Sequence, residues 1–444
     1  MKFRAIVAIG FAFVVLPYAR AQEIRFIGSA IVDGKGSDMS GLPPTLLEDG
    51  ASRLNGLNGL GSALAYTGFE NRYVFLPDRG PNKIEYMGGE AVDNTTSYQD
   101  RYQTFDISVV RDTSQPTGWR VDLKHVGTTM LKNTAGESYI GISAELAGPG
   151  KSNRRFDPEG VRVAPDGTLW ISDEYGPYIV QFDQTGREIG SLDAPEGFLI
   201  QRPAANAKIE MQSNGVGRVT NRGAEGLAIT PDGRFLAVAM QSPLIQDGGL
   251  KGLNTRIVIY DLQERAGKPR QFIYQLDDTK MAISEILAID GTRFLVNERD
   301  GVPGAAGRKL LYLIDIAQNS APTELTNAGY VGVAALKLPE TILPDGVVAL
   351  HKTKFADIGA LLNDAEKQGK RAFANERGLP DKIEGYAWGP NLANGDRLLL
   401  VCNDNDFDNL ETGFPNYVFA FAVSSASLLG LIVNQLNPAV RFAP

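Results

Sequence analysis

Cysteine and histidine are nearly absent from this chain, with one Cys and two His in 444 residues. The single Cys402 excludes an intramolecular disulfide framework, so the fold must be held by its core. His125 and His351 stand far apart without ligand spacing, which argues against a thiolate or imidazole metal centre. No Gly-x-Ser-x-Gly run is present, so a serine-hydrolase elbow is not expected. No Arg-His-Gly run supports a phosphohistidine phosphatase. Gly150-Lys151-Ser152 resembles the end of a P-loop, but Glu145 stands where the first Gly is required. An excess of basic charge is also missing. Lys and Arg total 44 against 52 Asp and Glu, a formal net charge of -8, which disfavours nucleic acid as a partner.

Long apolar runs are lacking too. Ala5 to Leu16 is too short to span a bilayer comfortably, and Leu428 to Val433 is shorter still. The first of these follows Lys2 and Arg4 and precedes Ala19-Arg20-Ala21, the pattern of a cleaved secretory signal over residues 1–21. An uncleaved anchor is the alternative. Cleavage leaves residues 22–444 as a single domain, exported to the periplasm or the medium, with no stable membrane insertion. It also removes Lys2, Arg4 and Arg20, so the mature charge becomes -11, with 41 basic against 52 acidic residues.

What the chain does have is turns, with 49 Gly and 24 Pro, and a repeated unit. The unit is Glu-Gly, an apolar stretch, an Asp-Gly turn and an apolar run ending in acidic or amide residues. It occurs as EGVRVAPDGTLWISDE (Glu159 to Glu174), as EGLAITPDGRFLAVAMQ (Glu225 to Gln241) and as EGYAWGPNLANGDRLLLVCNDND (Glu384 to Asp406). Looser copies run from Asn55 to Arg79 and from Ser284 to Asp300. Asp-Gly between apolar runs marks a β-hairpin. Repeated hairpins at periods of tens of residues mark an all-β propeller. The starts at 159, 225, 285 and 384 are 66, 60 and 99 residues apart. A blade takes about 40–50 residues, so insertions or skipped blades are implied; six blades are expected, with seven as the alternative. An opening strand, Gln22 to Ile31, would close the ring against Val418 to Ser424. Asp193 to Gly223 is a polar insertion carrying Arg202, Lys208, Arg218 and Arg222. Ala356 to Arg377 shows a helical apolar stripe. Both insertions lead into a Glu-Gly start and would form a lid or wall beside the acidic face, or ordinary surface decoration.

A hairpin returns its two ends to one edge. Glu159 is therefore expected beside Asp173 and Glu174, Glu225 beside Gln241, Glu285 beside Glu298 and Asp300, and Glu384 beside Asn403, Asp404 and Asp406. Equivalent edges of all blades share one end of the channel. Carboxylates so gathered repel one another unless a cation joins them. With only oxygen donors on offer, Ca²⁺ is the expected ion, one or more per chain. Asn403 to Asn409 resembles the first half of an EF-hand loop. However, Asn409 stands at the required Gly and Pro415 at the bidentate Glu, so another calcium loop or plain turns are the open readings. Glu159, Glu225 and Glu384 have a second reading as braces accepting backbone N–H bonds from a neighbouring blade.

The segments FDPEGVRVAPDGTLWISDEYGPYIVQFDQTG, NRGAEGLAITPDGRFLAVAMQSPLIQDG, EILAIDGTRFLVNERD and DKIEGYAWGP with CNDNDF resemble the phytase-like family, also described as having esterase-like activity of phytase. The resemblance covers Ser52 to Phe421. It implies a secreted phosphoesterase, with functional roles for Glu159, Asp173, Glu174, Glu225, Glu298, Asp300, Glu384, Asp404 and Asp406. A weaker similarity, in logic rather than in any long motif, is to calcium-dependent lactonase propellers. The expected metal ligands are Glu159, Asp173, Glu225, Glu298, Glu384, Asp404 and Asp406. Glu174 or Asp300 is expected as general base, and Arg79, Arg299 and Lys382 as anion clamps or as salt-bridge partners of nearby carboxylates. The expected activity is calcium-dependent hydrolysis of a small phosphoester by a monomer. A lactonase or carboxylic esterase, and a non-catalytic binding propeller, are the alternatives.

Overall fold

The computed structural model describes residues 24–87, 90–143, 154–176, 178–317, 323–325, 335–337, 340–343, 346–407, 413–425, 428 and 442. The secretory signal expected over 1–21 and the segment 408–412 lie outside them. Five four-stranded antiparallel sheets make up the described fold. From the axis outward, blade 1 is Ala63–Tyr66, Arg72–Leu76, Arg101–Arg111 and Trp119–Met130. Blade 2 is Pro158–Val163, Leu169–Asp173, Tyr178–Phe182 and Glu188–Leu192. Blade 3 is Ala224–Ile229, Phe235–Met240, Asn254–Asp261 and Arg270–Gln275. Blade 4 is Ala282–Ala288, Arg293–Arg299, Lys309–Asp315 and Lys352–Asp357. Blade 5 joins Ile383–Asn391, Arg397–Asn403 and Asn416–Val423 to the opening strand Ile24–Val32. Ile24 faces Val423 and Val32 faces Asn416, so the N-terminal strand closes the ring as expected.

The count of five corrects the expectation of six or seven. The long repeat gaps are insertions within and between blades. Asn82–Met87 and Glu90–Thr95 form a side hairpin in blade 1. Residues 193–223 separate blades 2 and 3. Blade 4 carries a long excursion, including the ribbon Ala335–Lys337 with Glu340–Ile342, before its fourth strand. The helix expected over 356–377 is shorter, Ile358–Lys367. Ala356 and Asp357 end the preceding strand, the Asp357 side chain caps the Ala360 N–H, and Gly369 follows the helix at φ 72°. Ile358, Leu362 and Ala365 bury the helix against the seam between blades 4 and 5.

Each blade presents two apolar faces to its neighbours, which explains runs such as PEGVRV and FLAVAM that are buried or nearly buried throughout. Leu64, Phe75, Phe105 and Leu400 fill the seam between blades 1 and 5, and Ile257, Phe272, Ile283 and Phe294 that between 3 and 4. Each such side chain contributes about 1.5–3 kcal/mol by burial.

The Gly of Glu-Gly sets how closely inner strands approach. A Cβ on Gly160 would lie 2.4 Å from the Glu225 carbonyl oxygen, and one on Gly226 would lie 2.7 Å from the Glu285 Cα. Backbone cannot yield there as a flexible side chain would. Gly226→Ala is expected to cost about 1–3 kcal/mol, read as a lower urea midpoint; an unchanged midpoint would show that the blades slide apart freely.

The register also corrects the repeat. Pro158 faces Asp173 while Gly160 faces Ser172, so Glu159 is a bulged residue. Glu225 is bulged in the same way. In blade 4, Ile283 faces Glu298 and Glu285 faces Asn297, so the bulge falls on Ser284. Glu285 occupies the glycine slot and does not sit opposite Glu298 or beside Asp300. From there it accepts the Leu227 N–H at 3.2 Å and pairs with Arg162 at 2.8 Å. Arg162 also donates to Leu64 O and Ile286 O, so the pair ties blades 1 to 4 together around the axis.

Candidate functional site

The bulged starts of the inner strands and the ends of the second strands meet at one end of the axis. Three groups of carboxylates each bring ligand oxygens within 4.8 Å of one another: Glu159, Glu174 and Glu225; Asp78, Asp157 and Glu159; Asp78, Asp404 and Asp406. Glu159 and Asp78 are shared, so the groups form one continuous acidic face.

The local fold supplies these positions. The extra residue of a bulge re-aims its side chain, and this places Glu159 and Glu225. Alternate residues at a strand end face opposite sides. Glu174 therefore joins the cluster, while Asp173 turns into its own loop. There Asp173 accepts N–H bonds from Asp157 at 2.8 Å, Tyr175 at 3.2 Å and Gly176 at 2.7 Å.

Among the described residues Arg79, Arg299, Lys382 and Arg222 border the face, and the first three are committed to carboxylates. Arg79 donates to Asp157 at 2.6 Å and to Asn221, and lies 3.8 Å from Glu174. Arg299 donates to Ser284 at 2.8 Å and to Glu384. Lys382 pairs with Asp404 at 3.2 Å and with Asp406. Arg222 is the fourth, set among Glu174, Glu225 and Arg299.

The three carboxylate groups are therefore compensated differently. Lys382 stands in for a cation at Asp78, Asp404 and Asp406, and Arg79 neutralises Asp157. The trio Glu159, Glu174 and Glu225 is met only at longer range, by Arg79 at 3.8 Å from Glu174 and by Arg222 through space. Glu174 and Glu225 are 1 % and 2 % exposed, yet Glu174 Oε1 and Glu225 Oε2 have no hydrogen-bond partner among the described residues. Orphaned buried carboxylate oxygens are costly.

The proton affinities report the same strain. Burial first, then Glu225, Asp157 and Glu174, pushes the Glu159 carboxyl well above its usual range. Burial and then Glu225 do the same to Glu174. Glu225 is pushed up to about 8 by burial and then by Glu384. Burial, opposed by Lys382, brings Asp404 to about 7, whereas Lys382 overcomes burial at Asp406 and holds it below the usual range. A hard dication fits this donor set, which is all oxygen, clustered and short of partners.

A pH dependence follows for the cation-free protein. Glu225 holds its proton more tightly folded than unfolded, so its contribution to stability is full below its ordinary value of 4.5 and is lost as pH rises through about 8. In EDTA, the melting temperature is expected to fall from about pH 5 to about pH 9, and added Ca²⁺ to raise it most at the alkaline end. A rise across that window in EDTA would contradict the assignment.

Of the residues expected from sequence, the structure brings together Glu159, Glu174, Glu225, Asp404 and Asp406, with Glu384, Arg299 and Arg79 at their edge. It places three elsewhere. Asp173 shapes its turn as described. Glu298 is buried beneath the face, accepting from Asp277 N, Tyr274 and Lys352. Asp300 is held by Lys309 at 2.8 Å and by the Arg308 and Val302 N–H groups. Blade-to-blade bracing by a carboxylate is performed by Glu285, in the glycine slot.

Sequence reasoning missed Asp78 and Asp157. Asp78 adjoins Arg79 and Asp157 lies two residues before Glu159, both of which it did single out, and the Asp-x-Glu spacing of Asp157 and Glu159 was a usable signal. It also missed Asp100, which is fully buried with neither carboxylate oxygen partnered among the described residues. Burial, then Asp157, pushes its pKa well above the usual range.

The molecule is thus a five-bladed β-propeller with a carboxylate-rich face at one end of its axis. Residues 55–407 match the phytase-like family, described as having esterase-like activity of phytase, and the chain belongs to that family. An uncharacterized secreted protein of Arthroderma benhamiae is 24% identical, with 74% of each chain covered. No helix among the described residues is long and apolar enough to cross a membrane. Among solved structures, a luciferin-regenerating enzyme is 10% identical at a TM-score of 0.33, covering 92% of this chain and 98% of that one. A gluconolactonase from Xanthomonas campestris is 10% identical at 0.30, covering 81% and 85%. A PQQ-bound aldose sugar dehydrogenase from Streptomyces coelicolor is 14% identical at 0.29, covering 89% and 98%. At such scores these likenesses carry no functional argument.

Proposed function

We propose that the protein is an exported, calcium-dependent hydrolase of phosphoesters that acts at the acidic face of the propeller. The observation that carries this reading is the trio Glu159, Glu174 and Glu225, with its two orphaned oxygens. The family's esterase-like description supports ester hydrolysis, and the pattern of residues 1–21 supports export.

Glu159, Glu174 and Glu225 would hold the ion, with Asp78 and Asp157 adjoining. When bound, a dication supplies charge neutralisation at phosphate oxygens and lowers the pKa of a coordinated water. The chain's own groups do the rest. Of the two residues expected as general base, Asp300 is committed to Lys309, so the role falls to Glu174, whose free Oε1 can accept a proton. Arg299 holds Glu384 in place, and Arg79 holds Asp157, so both orient the face rather than clamp substrate.

One observation favours a second reading. All three expected anion clamps, Arg79, Arg299 and Lys382, are engaged by carboxylates, which suits a neutral substrate such as a lactone or carboxylic ester.

The test is hydrolysis by the mature chain of a phosphomonoester, a phosphodiester, phytate and a lactone, in EDTA and with Ca²⁺. Phosphate release that EDTA abolishes and Ca²⁺ restores is expected. Lactone turnover alone would select the second reading. Calcium binding with no turnover of any substrate would make the face a binding site.

A further inference from the structure

We infer that Arg222 is the anion receptor of this face, a subsite for the phosphate group of the substrate beside the Glu159–Glu174–Glu225 trio. The inference rests on the proposed function and deepens it.

Arg222 differs from the other basic groups at the mouth. Arg79, Arg299 and Lys382 each end on a carboxylate. The Arg222 guanidinium has neither a hydrogen bond nor an ion pair with any described residue, although most of it is withdrawn from solvent. A guanidinium stays charged at any physiological pH, so it cannot escape burial by losing its proton. Glu174 and Glu225 offset that burial only through space, without a hydrogen bond, and a cation held among them would cancel even this compensation. A bound anion would relieve the cost of burial.

The backbone on both sides of Arg222 is fixed. Asn221 stands at φ 53° and accepts from Arg79. The Arg222 N–H donates to Val219 O at 3.0 Å. Gly223 lies so close to blade 2 that a Cβ there would stand 2.1 Å from the Glu174 carbonyl oxygen. The insertion 193–223 thus presents Arg222 at the trio rather than merely decorating the surface. Its anchor is a buried ion pair between Arg218 and Glu210, with Arg218 also donating to Tyr175 O at 2.8 Å.

The chemistry of the pair of sites selects the ligand. The planar N–H fork of Arg matches a phosphate edge. The adjacent carboxylates repel any anion until a cation neutralises them, so anion binding should require Ca²⁺. A phosphate dianion bridging a dication and a guanidinium meets both demands better than a carboxylate monoanion.

The test is calorimetric titration of the mature chain with phenylphosphonate, a phosphomonoester mimic that resists hydrolysis, and with benzoate as the matched carboxylate. Titrations are run with and without Ca²⁺ on the wild type, Arg222→Gln and Arg222→Lys, with direct Ca²⁺ titrations alongside. Phenylphosphonate is expected to bind the Ca²⁺-loaded wild type more tightly than benzoate. Arg222→Gln should weaken it about 10- to 100-fold, Arg222→Lys less, and Ca²⁺ affinity should persist in both. Equal phenylphosphonate affinity in wild type and Arg222→Gln would overturn the assignment. So would a wild type that binds Ca²⁺ but not phenylphosphonate, and that outcome leaves the cation site standing. Benzoate binding more tightly, with the same loss in Arg222→Gln, would overturn the phosphate choice. Arg222-dependent phosphonate binding without any Ca²⁺ affinity would uphold the subsite and sink the calcium-dependent reading.

Discussion

Glu174→Gln is expected to weaken Ca²⁺ binding by about 100-fold or more while raising the melting temperature of the EDTA-treated protein. Gln has the shape of Glu without the charge. Even groups that only support a metal ligand change affinity by about 10- to 100-fold, and Glu174 is assigned to the ligand set itself. Without a cation the same substitution relieves two costs, the burial of a carboxylate and its repulsion by Glu225 and Asp157. The opposite signs make the prediction demanding. A carboxylate that only braced the fold would lose stability on substitution and leave Ca²⁺ affinity unchanged. Calorimetric titration and melting curves with and without EDTA read both halves. A fall in melting temperature in EDTA would contradict the assignment.

Lys382→Met should act the other way. Lys382 pairs with Asp404 and Asp406, and these keep its ammonium charged well above the usual pH range despite burial. Removing it leaves Asp78, Asp404 and Asp406 facing one another without compensation. Breaking a buried pair from one side costs about 3–5 kcal/mol. Lys382 is 30% exposed, so the low end, about 3 kcal/mol, is expected in EDTA. Added Ca²⁺ should restore stability and bind with one more ion per chain than in the wild type, because the vacated trio becomes a second site. Unchanged stability in EDTA would show that Lys382 does not serve as the internal cation.

The logic of the face was legible in the sequence because it follows from short-range geometry. Asp-Gly turns at 166–167 and 232–233 fold each strand back on itself, so Glu159 returns to Glu174 without any long-range information. Closure by Ile24–Val32 was legible for a similar reason: a lone opening strand needs a partner, and Asn416–Val423 offers one. What failed turns on single-residue offsets and on insertions. Glu285 reads as a repeat start, but the bulge sits one residue earlier, at Ser284, which moves the carboxylate into the glycine slot and onto Arg162. Asp173 and Asp300 share residue type and strand-end position with Glu174, yet neighbouring side chains at a strand end diverge, and each satisfies its own loop. Blade number was read from repeat spacing, which residues 193–223, 316–351 and 358–382 lengthen without adding a blade. Asp78 and Asp157 escaped because blade 1 carries Ser62 where blades 2, 3 and 5 carry Glu, and because Asp157 precedes its strand.

The central claim is that a dication sits among Glu159, Glu174 and Glu225. It is tested most directly by a crystal structure of the mature chain grown with Ca²⁺, using the calcium anomalous signal to locate the ion. The account predicts a peak with oxygens of all three glutamates at about 2.3–2.6 Å, and Lys382 still on Asp404 and Asp406. A face with no peak, or a peak at Asp78, Asp404 and Asp406 with Lys382 displaced, would contradict it.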